Sequence, residues 1–175
     1  MKGIKISVLI NNVGSNHSIP TPFMEEEWST ISSILSVNIT NTLALTHAVL
    51  PEMDDGGLIL NVSSFSGCFS TPLLQTYAAS KAFINHFTLS LSAEVSCHRI
   101  HVEAMQAYFV TSKMSKIKRA SFFCPTPSAF AKEAMKRVGK KTISIPYPSH
   151  ALLYGLIKLI PASIFASQTF SKEYA

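Results

Sequence analysis

The sequence predicts an α/β fold built on a parallel β-sheet, and three observations carry that expectation. Aliphatic and β-branched runs stand at 6–10, 58–62 and 100–106. Stretches with helical spacing, each longer than ten residues, separate them. Clusters of Asn, Asp, Gly and Pro mark the junctions. Antiparallel neighbours can be joined by a tight turn, whereas parallel neighbours need a long crossover, usually a helix. The 175 residues match the size of one domain.

Residues 6–10 (ISVLI) are closed by Asn11-Asn12-Val13-Gly14 and read as a buried strand ending in a turn. Pro20 and Pro22 place 15–24 in a loop. A helix is expected over 24–50, because Trp28, Ile31, Leu35, Asn38, Thr42, Leu45 and Val49 recur at every third or fourth position and share one face. Asp54-Asp55-Gly56-Gly57 reads as a turn and 58–62 (LILNV) as the second strand. Beyond a loop with Gly67 and Pro72, a second long helix is expected over 74–96, its inner stripe Tyr77, Lys81, Ile84, Thr88, Leu91 and Val95. Residues 100–106 alternate with a period of two and give the third strand. Ser128 is placed to cap a short helix reaching Val138, with Gly139 just past its end.

Composition narrows the classes. An apolar fraction of 47% excludes a disordered or collagen-like chain. Charged residues are only 14%, against about 25% in a typical soluble domain, which points to a core-rich domain with much apolar surface. Cys68, Cys97 and Cys124 are too few and scattered for a disulfide framework, so reduced thiols are expected. The net charge of +5 is uneven: 113–141 holds nine of the fifteen basic residues against Glu133 alone, a local +8. That stretch reads either as a site for phosphates or as a solvated face.

Residues 1–6 lead into the first strand without the long apolar core of a signal peptide. The apolar stretch 151–166 is broken by Lys158 and Pro161 and falls short of the roughly 20 residues a spanning helix needs. It reads as a core or dimer helix, or as a segment lying in a membrane interface or along an acyl tunnel, with Ile164, Phe165 and Lys172 included.

In open parallel sheets ligands sit at the carboxyl ends of the strands, so the polar groups after each strand are the ones to inspect. Tyr77 and Lys81 are four apart and meet on one helical face. A nearby ammonium favours phenolate and is expected to draw the Tyr77 phenol down towards a useful acid or base. Ser64 lies thirteen residues earlier, directly after the second strand, where its hydroxyl would face the same cleft. Asn38 sits mid-helix on the buried stripe, and a buried amide must find partners. Taken singly, Asn38 reads as a core amide and Ser64 as a turn serine; together and in this order the four are a much stronger signal.

These residues resemble the short-chain dehydrogenase/reductase superfamily. The matching pieces are Asn11-Asn12-Val13-Gly14, Val37-Asn38-Ile39-Thr40, Ser63-Ser64 and Tyr77-Ala78-Ala79-Ser80-Lys81. Within it the chain is similar to the fungal-type very-long-chain 3-oxoacyl-CoA reductases of the endoplasmic reticulum, through NNVGSNHSIPTPF, PLLQTY and VTSKMSKIKRAS. The resemblance implies a Rossmann-like, doubly wound parallel sheet. It makes Tyr77 the proton donor to a carbonyl oxygen. Lys81 would tune Tyr77 and hold the nicotinamide ribose, Ser64 would bind the substrate carbonyl, and Asn38 would position a water in a proton relay. Asn11, Val110 and Ser112, with Tyr77 and Lys81, would contact the cofactor, NADPH. The implied reaction is reduction of a 3-oxoacyl-CoA to the 3-hydroxyacyl-CoA in fatty-acid elongation. It would occur on the cytosolic face of the endoplasmic reticulum membrane, beside other elongation enzymes and with a homodimer as one arrangement.

The departures carry expectations too. None of the seven glycines fits a G-x-x-x-G-x-G turn, and the chain is expected to hold only the C-terminal part of the fold, without the first three strands and that glycine-rich motif. On this reading 1–147 is the catalytic half of a partial domain and 148–175 an apolar C-terminal extension. An unpaired first strand would leave open N–H and C=O groups, so poor solubility or self-association is expected. Ala107-Tyr108 stand where many members have Pro-Gly. Alternatives are a non-catalytic truncated paralogue or incomplete gene product without a usable cofactor site, and a steroid or retinol dehydrogenase of the same superfamily. Neither zinc-spaced Cys/His nor a nucleic-acid-binding module is present in the sequence, so neither partner is expected.

Overall fold

A computed structural model describes residues 5–160. Four parallel strands pair in chain order: β1 (Ile6–Asn11), β2 (Met53–Ser64), β3 (His101–Ala107) and β4 (Ile143–Ser144). Between them run α1 (Trp28–Leu35) and α2 (Asn41–Val49), α3 (Gln75–Glu94), and α4 (Pro127–Met135), with α5 (Pro148–Lys158) following β4. Successive side chains on a strand point to opposite faces, and both faces carry helices. Leu9, Ile59 and Val102 pack with Val49, Leu91 and Val95 of α2, α3 and the turn after α3. Leu60 and Met105, on the other face, pack with Ala134 of α4 and with Phe130 and Val138. This is the doubly wound arrangement the resemblance implied.

α1 and α2 form one continuous rod across a wide π-turn, Ser36–Thr40, closed by a bond from the Asn41 N–H to the Ser36 carbonyl. The extra residue in that turn shifts the helical phase. The buried stripe is Ile31, Ile34, Asn38, Thr42, Thr46 and Val49; of the expected residues Ile31, Asn38, Thr42 and Val49 are buried, while Trp28, Leu35 and Leu45 stand exposed. The rod begins at Trp28 rather than at residue 24, because Glu27 is extended and 23–25 form a separate turn. Trp28–Glu52 is apolar and long enough to cross a membrane by length and composition. Its inner stripe, with the polar Asn38, Thr42 and Thr46, is instead buried within the fold.

Further expectations are corrected. The first strand is not buried: only Leu9 is, while Val8 and Ile10 are 53% and 51% exposed, because β1 is the sheet edge and α4 covers the β2–β3 side. The turn at 54–57 lies within the span of β2 as a bulge, with Ile6 opposite Met53 and Val8 already opposite Leu58. β3 does not alternate, since Val102 through Gln106 are all buried between neighbours on both sides. The cap of α4 is Thr126, whose Oγ1 accepts the Ala129 N–H at 3.2 Å, not Ser128. Gly139 lies in the turn beyond α4, which ends at Met135 and not at Val138; its φ is +79 and its N–H donates to buried Glu103 at 2.6 Å.

α5 is tied to the loop after β3. His150 is fully buried, with Nδ1 3.3 Å from the Tyr108 N–H donor and Nε2 3.2 Å from the Phe123 carbonyl. Ser149 donates to the Phe122 carbonyl at 2.6 Å. Leu152, Leu156 and Leu159 point outward. The expectations for 161–175, including Ile164, Phe165 and Lys172, lie outside the described residues.

Candidate active site

The carboxyl ends of β1 and β2 and the first half of α3 bring four of the singled-out residues together. α3 forms as its stripe predicts: Thr76, Ala78, Ser80, Lys81, Ile84, Thr88 and Leu91 are buried and Tyr77 half-buried. The Tyr77 hydroxyl is hydrogen-bonded to Ser64, the last residue of β2. The Lys81 ammonium lies 5.7 Å from the centre of the Tyr77 ring and donates to the Val62 carbonyl at 2.9 Å. Asn38, 1% exposed on the π-turn, donates to Ser80 Oγ and to the Ser15 carbonyl, each at 2.9 Å, and accepts the Ser15 N–H at 2.7 Å. Ser80 in turn donates to the Tyr77 carbonyl at 2.7 Å.

Backbone contact sets this spacing. A Cβ on Gly67 would come within 2.6 Å of the Lys81 carbonyl carbon and 2.7 Å of the Ala82 nitrogen. Only a residue without a side chain lets the turn after Ser64 press directly on α3. Gly14 sits beside the group, with Asn38 Oδ1 and Lys81 Nζ 3.5 and 3.6 Å from where its Cβ would stand.

The electrostatics depart from expectation. Burial pushes the Tyr77 phenol above its ordinary value, and the hydrogen bond with Ser64 only partly opposes this. Lys81 does not draw it down. Burial lowers the Lys81 ammonium from 10.5 to about 8, so it has already lost its charge at the pH where the phenol ionises. The phenol is thus held protonated, the form that can donate.

Asn11 belongs to a separate network. It donates to Thr46 Oγ1 at 3.1 Å and to Asn61 Oδ1 at 2.8 Å, and Asn61 donates to Thr88 at 2.8 Å. This chain of amides and hydroxyls braces β1, β2, α2 and α3 beneath the site. Val110 and Ser112 are not joined to the Tyr77 group. They lie in a turn closed by Ser115, which donates to the Val110 carbonyl at 2.7 Å and meets Ser112 Oγ at 3.2 Å. The basic stretch divides between two ends of the sheet. Lys113, Lys116, Lys118 and Arg119 occupy the exposed loop beyond the carboxyl end of β3, with Lys116 donating to the Ser18 carbonyl. Arg137, Lys140 and Lys141 lie before the amino end of β4, far along the strand direction from Tyr77. No group of three or more His, Cys, Asp or Glu among the described residues could hold a metal ion.

Ser80, Ser15, Thr46 and Asn61 were not singled out for the site. The signal for three of them was a polar residue at a position that helix or strand periodicity buries.

A parallel sheet with this Ser, Tyr, Lys and Asn grouping at its carboxyl end defines a class of oxidoreductases, and the chain belongs to it: residues 2–121 match the short chain dehydrogenase family. The relatives narrow the comparison. The chain is 41% identical over 170 residues to the very-long-chain 3-oxoacyl-CoA reductase of Kluyveromyces lactis, covering 89% of this chain and 49% of that protein. It is 40% identical over 178 residues to the same-named protein of Laccaria bicolor, covering 95% of this chain and 53% of that one. The chain therefore spans about half the length of the curated relatives it matches. Among solved structures, a short-chain dehydrogenase from Sphingobium yanoikuyae in complex with NADPH superposes with a TM-score of 0.71 at 20% identity, over 95% of this chain and 67% of that one.

Proposed function

We propose that this chain carries the catalytic half of an NADPH-dependent 3-oxoacyl-CoA reductase of very-long-chain fatty-acid elongation. The observation that carries the reading is the half-buried Tyr77 phenol beside Ser64, with the Lys81 ammonium 5.7 Å from its ring centre. The relatives above, named very-long-chain 3-oxoacyl-CoA reductases, supply the substrate class.

The donor set suits the nicotinamide-ribose end of NADPH. The Lys81 ammonium has three N–H groups, and its hydrogen bond to Val62 uses one. Bound, the nicotinamide supplies a hydride to the ketone carbon. Tyr77 gives its proton to the oxygen that becomes the hydroxyl, Ser64 donates to that oxygen as charge develops, and Lys81 holds the ribose hydroxyls. Asn38 fixes the Ser15 and Ser80 groups beside this path and orients a water that returns a proton through Lys81. Asn11 braces the cofactor side from beneath, and Val110 and Ser112 meet the cofactor from the loop after β3. The exposed Lys113, Lys118 and Arg119 suit the phosphates of an acyl-CoA. The outward Leu152, Leu156 and Leu159 with Phe122 suit a long acyl chain or the cytosolic face of the endoplasmic reticulum membrane.

Titrating the purified chain with NADPH while following nicotinamide fluorescence tests the reading. Saturable micromolar binding, followed by reduction of a 3-oxoacyl-CoA, is the expected outcome. A folded chain that binds no NADPH overturns it and favours a non-catalytic relative. Reduction of a steroid or retinal in preference to the acyl-CoA moves the assignment within the superfamily. Tyr77→Phe should cut turnover by about 100- to 10,000-fold and leave the melting curve in place.

A further inference from the structure

Of the ion pairs among the described residues, two are at the surface and one is buried. The buried one joins His17, in the loop after β1, to Glu26, just before α1, with side chains 1% and 2% exposed. His17 Nε2 and Glu26 Oε1 face each other, and neither atom has another partner. Across the ring, Nδ1 lies 3.1 Å from Asn16 Oδ1, which also accepts the His17 main-chain N–H at 2.8 Å. That main-chain bond fixes which way the Asn16 amide points, so both ring nitrogens face acceptors.

The second carboxylate oxygen reaches α3. Glu26 Oε2 accepts from Gln75 Nε2 at 3.0 Å and from Thr76 Oγ1 at 3.1 Å. These are the first two residues of α3, and Leu74 before them supplies no side-chain cap. A carboxylate is favoured at a helix start, and here it is delivered from a distant segment. The approach to α3 is also constrained: Leu73 sits at φ +66, in the left-handed region, with its carbonyl accepting the Thr21 N–H at 3.0 Å. Tyr77 is the next residue after Thr76.

A buried ion pair is a poor source of stability, because desolvation cancels most of the attraction. What it supplies is direction. One oxygen of Glu26 is committed to His17 and the other to the first turn of α3, so the carboxylate cannot rotate without losing both.

We propose that His17 and Glu26 are positioning residues for Tyr77: the buried pair fastens the first turn of α3 to the loop after β1 and thereby sets the phenol against Ser64. The proposal rests on Tyr77 being the proton donor of the preceding subsection. Its test is chosen to separate the two.

Tyrosine-ring NMR on the whole chain, with Tyr77 assigned by Tyr77→Phe, reads the phenol without cofactor. Glu26→Gln and Thr76→Val should shift the Tyr77 ring signals and leave Tyr108, Tyr147 and Tyr154 in place. In turnover both should lower kcat about tenfold or more with KM little changed. His17→Gln, which keeps a donor towards Glu26, should retain more activity than His17→Ala. Folded variants with an unmoved Tyr77 signal overturn the proposal, as does a loss confined to KM. Should Glu26→Gln not fold, Thr76→Val decides alone, since it exchanges a hydroxyl for a methyl and leaves the ion pair whole. A wild-type chain without NADPH binding sinks the reductase reading, while the Tyr77 spectra still decide whether His17 and Glu26 position the ring.

Discussion

The two faces of the sheet treat the same kind of residue in opposite ways. On the face covered by α2 and α3, Leu9, Ile59 and Val102 are buried, and the polar Asn11, Asn61 and Thr88 are linked to one another within that layer. On the other face α4 reaches Leu60 and Met105, but Val8 and Ile10 of β1 stand half exposed. Leu9 and its neighbours differ little in apolarity, so burial here follows the covering layer and not the residue type. Asn38 and Lys81 belong to the helical layer over that side, where each is held by hydrogen bonds to a neighbouring segment.

The sharpest way to test that contrast is one substitution made twice. Ile59→Ala should cost about 2–5 kcal/mol in urea unfolding, since Ile59 is fully buried and its site cannot collapse. Ile10→Ala should cost less than about 1 kcal/mol, its side chain being half in water already. Equal losses would show that the β1 face is covered in solution.

Lys81 gives the next effect. The unfolded chain keeps that proton up to 10.5 and the folded chain only to about 8, so between these values the unfolded state holds more protons. Stability from this group therefore rises with pH across pH 8 to 10, by about 2–3 kcal/mol. Above pH 10 the raised Tyr77 phenol acts the other way, because the unfolded tyrosine loses its proton first. Lys81→Met should flatten the rise between pH 8 and 10, and a slope that survives would place its source elsewhere.

Gly67→Ala comes third. The added methyl cannot be accommodated without moving the turn off α3, at a cost of roughly 1–3 kcal/mol. The same variant should disturb the Tyr77 ring signal, whereas Gly56→Ala, with open space around it, should be felt only through its φ of +82. The smallest effect on stability belongs to Ile10→Lys, but it should reduce self-association seen by sedimentation velocity. β1 pairs on one side only and offers an open edge to another chain. A wild-type chain that stays monomeric at high concentration would remove the reason for that variant.

Much of the covered face was legible in the sequence, and the reasons are local. α3 reads directly because an unbroken helix keeps its period, so Tyr77, Lys81, Ile84, Thr88 and Leu91 fall where spacing puts them. Asn38 was legible as a buried amide, but its partners Ser15 and Ser80 are 23 and 42 residues away and no spacing announces them. The stripe of the first rod held at Ile31, Asn38, Thr42 and Val49 and missed at Trp28, Leu35 and Leu45, and the π-turn itself leaves no mark in composition. Val8 and Ile10 were misread because an apolar run says that a strand wants burial, not that a layer arrives to provide it. β4 has only two residues and offers no period at all. The direction of the Tyr77 shift needed the depth at which the phenol itself is buried, a property of the assembled fold. That residues 113–141 divide between two ends of the sheet also needed the topology.

The wide turn at Ser36–Thr40 makes chain length itself a constraint. Each residue of a helix advances the backbone by about 100°, so deleting one residue there would rotate everything after it by that angle. Thr42, Thr46 and Val49 would swing away from the strands, and Asn38 would lose its place beside Ser80. Point substitutions at exposed positions such as Ser36 and Thr40 should be absorbed easily, while single-residue insertions or deletions in the same five positions should not. Asn38 apart, the segment acts as a spacer whose length matters more than its lettering.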